Sequence, residues 1–113
     1  MTPKAFDAAC RALPAVTMVV QWGGSDVYKV GGRIFAVAGL GGGFSFKATD
    51  IAYEALIEIG RARPAPYLAR AKWVLFDDLA ALDEAEVNGW LATAHALVAA
   101  KLTRALRREL GLA

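Results

Sequence analysis

Cys10 and His95 are the chain's single thiol and single imidazole. Together they are the parts of a nucleophile and its base. Separately, neither has the companions a zinc site requires, and one cysteine forms no intramolecular disulfide. Cys10 falls on a helical apolar stripe with Phe6 and Leu13, the setting of a buried structural thiol. His95 lies mid-helix beside another apolar stripe, with no Ser or Cys close in sequence, and reads as a histidine making a structural hydrogen bond. The carboxylates fall into two groups. Asp50, Glu54 and Glu58 read as a solvated helix face. Asp77, Asp78, Asp83, Glu84 and Glu86 surround the start of the last helix, where the dipole favours negative charge. Gly39-Leu-Gly-Gly-Gly43 invites a phosphate-loop reading, but it lacks the Gly-Lys-Ser/Thr ending and precedes a strand pattern, so a hairpin turn is expected. These groups supply no catalytic residue, no metal site and no cofactor site, and a non-enzyme is expected.

The cations carry more information. From Arg61 to Lys72 there are four positive residues (Arg61, Arg63, Arg70, Lys72) and no negative one, with Tyr67 and Trp73 in or beside the run. Lys29, Arg33 and Lys47 come from three strand segments and can share a sheet face. Such a set suits a phosphate backbone, with aromatics for stacking; a merely solvated face uses the same residues. Lys101, Arg104, Arg107 and Arg108 cluster near the C-terminal end of the last helix, where the dipole alone accounts for them.

The elements that must position these residues can be read from pattern. The 113 residues are 57% apolar and 21% charged, with net charge +2, which fits one cored domain over residues 1–113 and excludes a disordered tail. The apolar content is somewhat more than a small domain needs. The N-terminus lacks a basic-then-apolar leader, and the most apolar stretch, 89–100, is well short of the ~20 residues that span a bilayer; a soluble protein of the reducing cytoplasm is expected, with no membrane partner. Thr2-Pro3 starts a helix over 3–12 that Pro14 ends. Strands follow from 16 to 48, with Gly31-Gly32 as a tight hairpin turn and Phe44 and Phe46 on one face. Thr49 caps a helix over 50–59 whose inward stripe is Ile51, Ala55, Leu56 and Ile59. The 61–70 segment is a loop, anchored by Tyr67 and Leu68, and 72–76 is a strand. Asp83-Glu-Ala-Glu86 is a capping box opening a long helix from Glu84 to about Leu110. The order α-β-β-β-β-α-β-α implies an α+β fold, one antiparallel sheet with helices packed on it.

Val27-Tyr-Lys-Val-Gly-Gly-Arg-Ile-Phe-Ala36 resembles the F-[RK]-V-x-G-[KR]-I-F-A hairpin of the MmcQ/YjbR family of small bacterial proteins. Arg63-Pro-Ala-Pro-Tyr-Leu-Ala-Arg70 with Lys72-Trp-Val74 resembles its second signature, and Leu13-Pro14, Gln21-Trp22-Gly23 and the closing helix fit in order, so the likeness runs from about residue 3 to 108. Family members often carry His-Pro before the first aromatic of the hairpin, where this chain has Ser25-Asp26 before Val27-Tyr28. The resemblance implies a secretion-chaperone-like or CyaY-like α+β domain, and DNA binding through a double-wing arrangement. The expected interface is then Lys29, Arg33, Lys47, Arg61, Arg63, Arg70 and Lys72. The alternative is a module for protein interaction, self-association or a small ligand, with an exposed apolar patch or a pocket lined by Trp22, Trp73 or Trp90.

Overall fold

The Thr2 hydroxyl accepts the Ala5 amide at 3.0 Å and Pro3 occupies the first helical position, so α1 (Pro3–Arg11) begins where its orphan amides are answered. A computed structural model describes residues 1–39, 43–66 and 68–112. After α1 come β1 (Val16–Gln21), β2 (Ser25–Val30), β3 (Arg33–Ala38), β4 (Phe44–Lys47), α2 (Asp50–Glu58), β5 (Arg63–Pro64), a 3-10 turn (Ala69–Ala71), β6 (Trp73–Phe76), α3 (Glu84–Ala99) and α4 (Arg104–Glu109). The strands form one antiparallel sheet in the order β1-β2-β3-β4-β6-β5.

Gly31 and Gly32 make the β2–β3 turn at φ +58° and +81°, the left-handed pair that a two-residue hairpin needs. The turn does more than reverse the chain. A Cβ on Gly31 would lie 2.6 Å from a Leu102 methyl, so the missing side chain lets the segment after α3 close on the hairpin. At the other end of β3, the Gly39 amide donates to the Gly43 carbonyl at 2.9 Å; the expected turn residues 40–42 lie outside the described residues.

The helix-covered face of the sheet holds the main core. Tyr28, Ala36, Phe46 and Val74 form one transverse row on it, and α1 adds Phe6 and Cys10 while α3 adds Val87, Leu91, Ala94 and Val98. Phe44, Phe46, Phe76 and Trp90 stack with centroids 5.0 to 6.0 Å apart, which confirms the shared face of Phe44 and Phe46. The opposite face carries a smaller cluster of Val27, Val37, Ala65 and Trp73, with Leu68 from the 61–70 segment packed against it. Tyr67, the other expected anchor of that segment, lies outside the described residues.

Three local expectations are corrected. The closing helix does not run unbroken from 84 to 110. Leu102 turns inward to the Gly31 notch, the chain leaves helix at 100–103, and Thr103 caps a separate α4 by accepting the Leu106 amide at 3.1 Å. The 61–70 loop contributes a two-residue edge strand, β5. And α2 is rolled about its axis: Leu56 is buried as expected, but Ile51 is 84% and Ile59 65% exposed, Ala55 is exposed, and Ala52, Tyr53 and Ile57 take the half-buried positions. The ring of Tyr53 lies against the Lys72 ammonium, 5.0 Å from its centroid.

Candidate functional site

The antiparallel sheet has two ends. Gly31-Gly32, the C-terminal end of β4 and the N-terminal end of β6 lie at one; the start of β2, residues 39–43 and the C-terminal end of β6 lie at the other. This geometry sorts the seven expected interface residues. Lys29 and Arg33 flank the Gly31-Gly32 turn, Lys47 ends β4, and Arg70 and Lys72 lead into β6, so these five share the turn end. Arg61 and Arg63 belong to the opposite end.

At that opposite end each arginine has a carboxylate. Arg61 forks onto Glu86 at 2.7 and 3.0 Å and lies over the Trp90 ring at 5.4 Å. Arg63 forks onto Asp77 at 2.5 and 3.0 Å. These hydrogen bonds hold the Glu86 and Asp77 carboxyls below the usual range and raise both guanidiniums. The pairing also splits the expected capping box. Asp83 accepts the Glu86 amide at 3.0 Å, while the Glu86 side chain goes to Arg61 rather than back to the cap. The acid-free run from 61 to 72 therefore obtains its acids from elsewhere in the chain, and Arg61 and Arg63 stand paired and apart from the other five expected residues.

The turn end is different. Lys72 approaches Glu54 at 3.7 Å. Lys47 donates to the Ala71 carbonyl rather than to an acid. Burial first, and then the neighbouring charges of Lys101 and Lys72, lower the Lys47 ammonium from its ordinary value, with Asp50 opposing. Among the described residues, Lys29, Arg33, Arg70, Lys101, Arg104, Arg107 and Arg108 form no salt bridge. Lys101 enters the site because the Leu102 contact seats the end of α3 against the hairpin. Its place was hidden in the sequence by the apparent continuity of the last helix; Thr103, a good N-cap residue, is the signal that marks the break.

The remaining reactive groups take structural roles. Cys10 is fully buried and desolvation pushes its thiol up to about 12, so it is not a thiolate near neutrality. His95 Nε2 donates to the Pro14 carbonyl at 2.8 Å, tying α3 to the turn after α1. Tyr28 donates to Asp7 at 2.7 Å, and Asp7 also accepts from Arg11. The three tryptophans diverge. Trp22 is 63% exposed beyond β1, Trp73 is buried on the outer face, and Trp90 lines a cleft of about 190 Å³ with Phe46, Ala48 and Thr93. Among the described residues no three His, Cys, Asp or Glu side chains are grouped to hold a metal ion, and no helix is long and apolar enough to cross a membrane.

A family model described as YjbR matches residues 11–97. The crystal structure of Deinococcus radiodurans protein DR2400, described with the domain DUF419, is similar over 99% of this chain and 89% of that one, with a TM-score of 0.86 and 24% identity. That likeness extends the shared fold over both termini of the matched segment. No curated protein matches the chain.

Proposed function

The chain belongs to the YjbR family, and on that premise we propose that it is a noncatalytic nucleic-acid-binding domain, with DNA the leading target, which it grips by the turn end of the sheet. The observation that carries this reading is the placement of Lys29, Arg33, Lys47 and Lys101 at the Gly31-Gly32 end of the sheet, where none of the four forms a salt bridge among the described residues. Lysines and arginines that repel one another across a fixed scaffold lose that repulsion when a polyanion arrives. Lys29 and Lys47 stand two strands apart, roughly 10 Å, and the hairpin projects beyond them as a wing. Arg70 on the 3-10 turn extends the same surface. Recognition of this kind is by phosphate and carries no sequence preference of its own.

Fluorescence anisotropy with labelled duplex DNA, single-stranded DNA and RNA tests it. With about four phosphates neutralised, affinity falls about a hundredfold between about 50 and 200 mM salt. Absence of binding to every probe at about 50 mM salt overturns the proposal, and binding confined to RNA redirects it from DNA.

A further inference from the structure

The two edges of the sheet are built differently. β5 is two residues long and consists of Arg63 and Pro64, a length, a charge and a proline that each discourage further pairing. β1, at the other edge, runs six residues from Val16 to Gln21, and neither it nor the following Trp22 brings a charge or a proline. Its register with β2 is continuous; the register shift in this part of the sheet lies one strand further in, between Tyr28 and Lys29. Val19 is 38%, Val20 62% and Trp22 63% exposed. Among the described residues no strand pairs with the outer side of β1. Its outward amides and carbonyls are a template for one more strand.

The side chains select which strand fits. Val16, Met18 and Val20 lie on the helix-covered face, in line with Tyr28, while Thr17, Val19 and Gln21 lie on the outer face, in line with Val27. A two-fold axis perpendicular to the sheet sets β1 antiparallel to the β1 of a second copy and keeps the helices of both copies on one side. Because side chains alternate between faces, the axis must set one residue opposite its own copy. With Val19 at the axis, Thr17 meets Gln21 and Met18 meets Val20, so polar meets polar and apolar meets apolar, and Trp22 comes level with Val16. With Met18 at the axis, Thr17 meets Val19, and Gln21 and Trp22 run past the end of the pairing.

We propose that β1 pairs with the β1 of a second copy about Val19, joining the two sheets into one closed, two-fold dimer. A single strand pair buries less than the roughly 1,600 Å² of a standard interface, so the dimer is weak, with a Kd of about 10 to 100 μM. It uses none of the residues assigned to nucleic acid, and it sets the Gly31-Gly32 turns of the two copies at opposite ends of the joined sheet.

Sedimentation velocity of the full chain from about 5 to 500 μM should show the mass rising from one copy to two and no further. Val19→Lys sets like charges opposite each other at the axis and should weaken dimerisation about tenfold in a protein that keeps its native circular dichroism. Single added thiols read the register without relying on that variant. Cys10 is buried with its thiol pushed up to about 12, and so stays silent toward a mild oxidant. In the Val19→Cys protein the new thiols face each other across roughly 5 Å between Cα atoms, within disulfide reach. In the Thr17→Cys protein they stand roughly 13 Å apart along the strands, so Val19→Cys should cross-link about tenfold faster. A chain that stays monomeric at about 500 μM overturns the proposal and leaves the edge to an extended segment of another protein. Undiminished dimerisation of folded Val19→Lys, equal cross-linking of the two cysteine variants, or growth beyond two copies overturns it as well.

Discussion

Where Gly39 and Gly43 bracket one end of the sheet, Arg61 pairs with Glu86 and Arg63 with Asp77, so both arginines are claimed by acids. Where Gly31 and Gly32 close the other end, Lys29 and Lys47 lie on the outer face of the sheet and Arg33 on the helix-covered face, not on one shared face. Lys47 there feels the charges of Lys101 and Lys72, with Asp50 opposing. The two ends use similar side chains for different purposes. At the paired end the guanidinium is part of the fold's own wiring and tethers β5 and the segment after α2 to β6 and α3. At the turn end the positive charge faces outward. A net charge of +2 averages the two and conceals both.

The largest expected effect breaks the comparison if it fails. Replacing Lys29, Arg33 and Lys101 together with glutamine should weaken DNA binding about a hundredfold near 50 mM salt and lower the salt slope by about three. Replacing Arg61 and Arg63 should leave both nearly unchanged. Equal losses in the two variants would mean that charge at either end serves the same surface.

Next in size is the joint that builds the turn end. Gly31→Ala places a Cβ 2.6 Å from a Leu102 methyl at a φ of +58°. Leu102 can move only by giving up its buried place, so the expected cost is about 2 kcal/mol, or several degrees in Tm. Gly32→Ala meets open space at φ +81° and should cost about 1 kcal/mol, from the backbone alone. Thermal denaturation of the two variants separates packing from conformation. Equal costs would show that Leu102 does not lock the hairpin.

Acid discriminates the ends because it removes carboxylates and leaves lysine and arginine charged. The Tyr28 hydroxyl, and after it the Arg11 guanidinium, hold the Asp7 carboxyl below its ordinary range against an opposing push from burial. Asp77 and Glu86 are lowered in the same direction by Arg63 and Arg61. A group whose pKa is depressed on folding contributes stability that is fully present above its unfolded value and disappears as pH falls through the folded one. Stability should therefore decline below about pH 4. Tyr28→Phe removes the largest of the effects on Asp7, and should cost about 1 kcal/mol at neutral pH after allowance for the partial exposure of Asp7, with a smaller difference from the parent in acid. Denaturant titrations at pH 7 and pH 3 measure both. A Tyr28→Phe cost that does not shrink in acid would assign it to packing instead.

Much of this architecture was legible because it rests on local rules. Thr2-Pro3, Thr49 and Asp83 cap helices through their own side chains, and Gly31-Gly32 forms the expected hairpin. The departures have a common cause in partners remote in sequence. Leu102 breaks a periodic helix because Gly31 offers it a notch 71 positions earlier. Ile51 and Ile59 obey helical spacing yet face outward, while Ala52, Tyr53 and Ile57 of the same helix take the half-buried positions and Tyr53 meets Lys72. The candidate interface divided on the same grounds. The run from Arg61 to Lys72 has no acid in sequence, but folding brings it Glu54, Asp77 and Glu86. Lys101 reaches the Gly31-Gly32 end of the sheet only through the break at Leu102.

The smallest expected effect is the most specific to the comparison. Arg61→Gln and Arg63→Gln each remove an exposed forked pair, and such pairs hold little stability in water because solvation already serves the separated ions. Their Tm values should fall by only about 1 to 4 °C at about 150 mM salt, where screening acts over about 8 Å. The consequence lies in which charges are released. Loss of Arg63 leaves Asp77 bare beside the end of β6, while loss of Arg61 frees Glu86 to return to the amide of its own helix start, as the Asp-x-x-Glu pattern allows. Arg61→Gln should therefore be the milder of the two, and the double variant Arg61→Gln with Glu86→Ala should be less stable than Arg61→Gln alone. If the double variant matches the single one, Glu86 has no second role, and the paired end is a set of exposed ion pairs with no tie to helix capping.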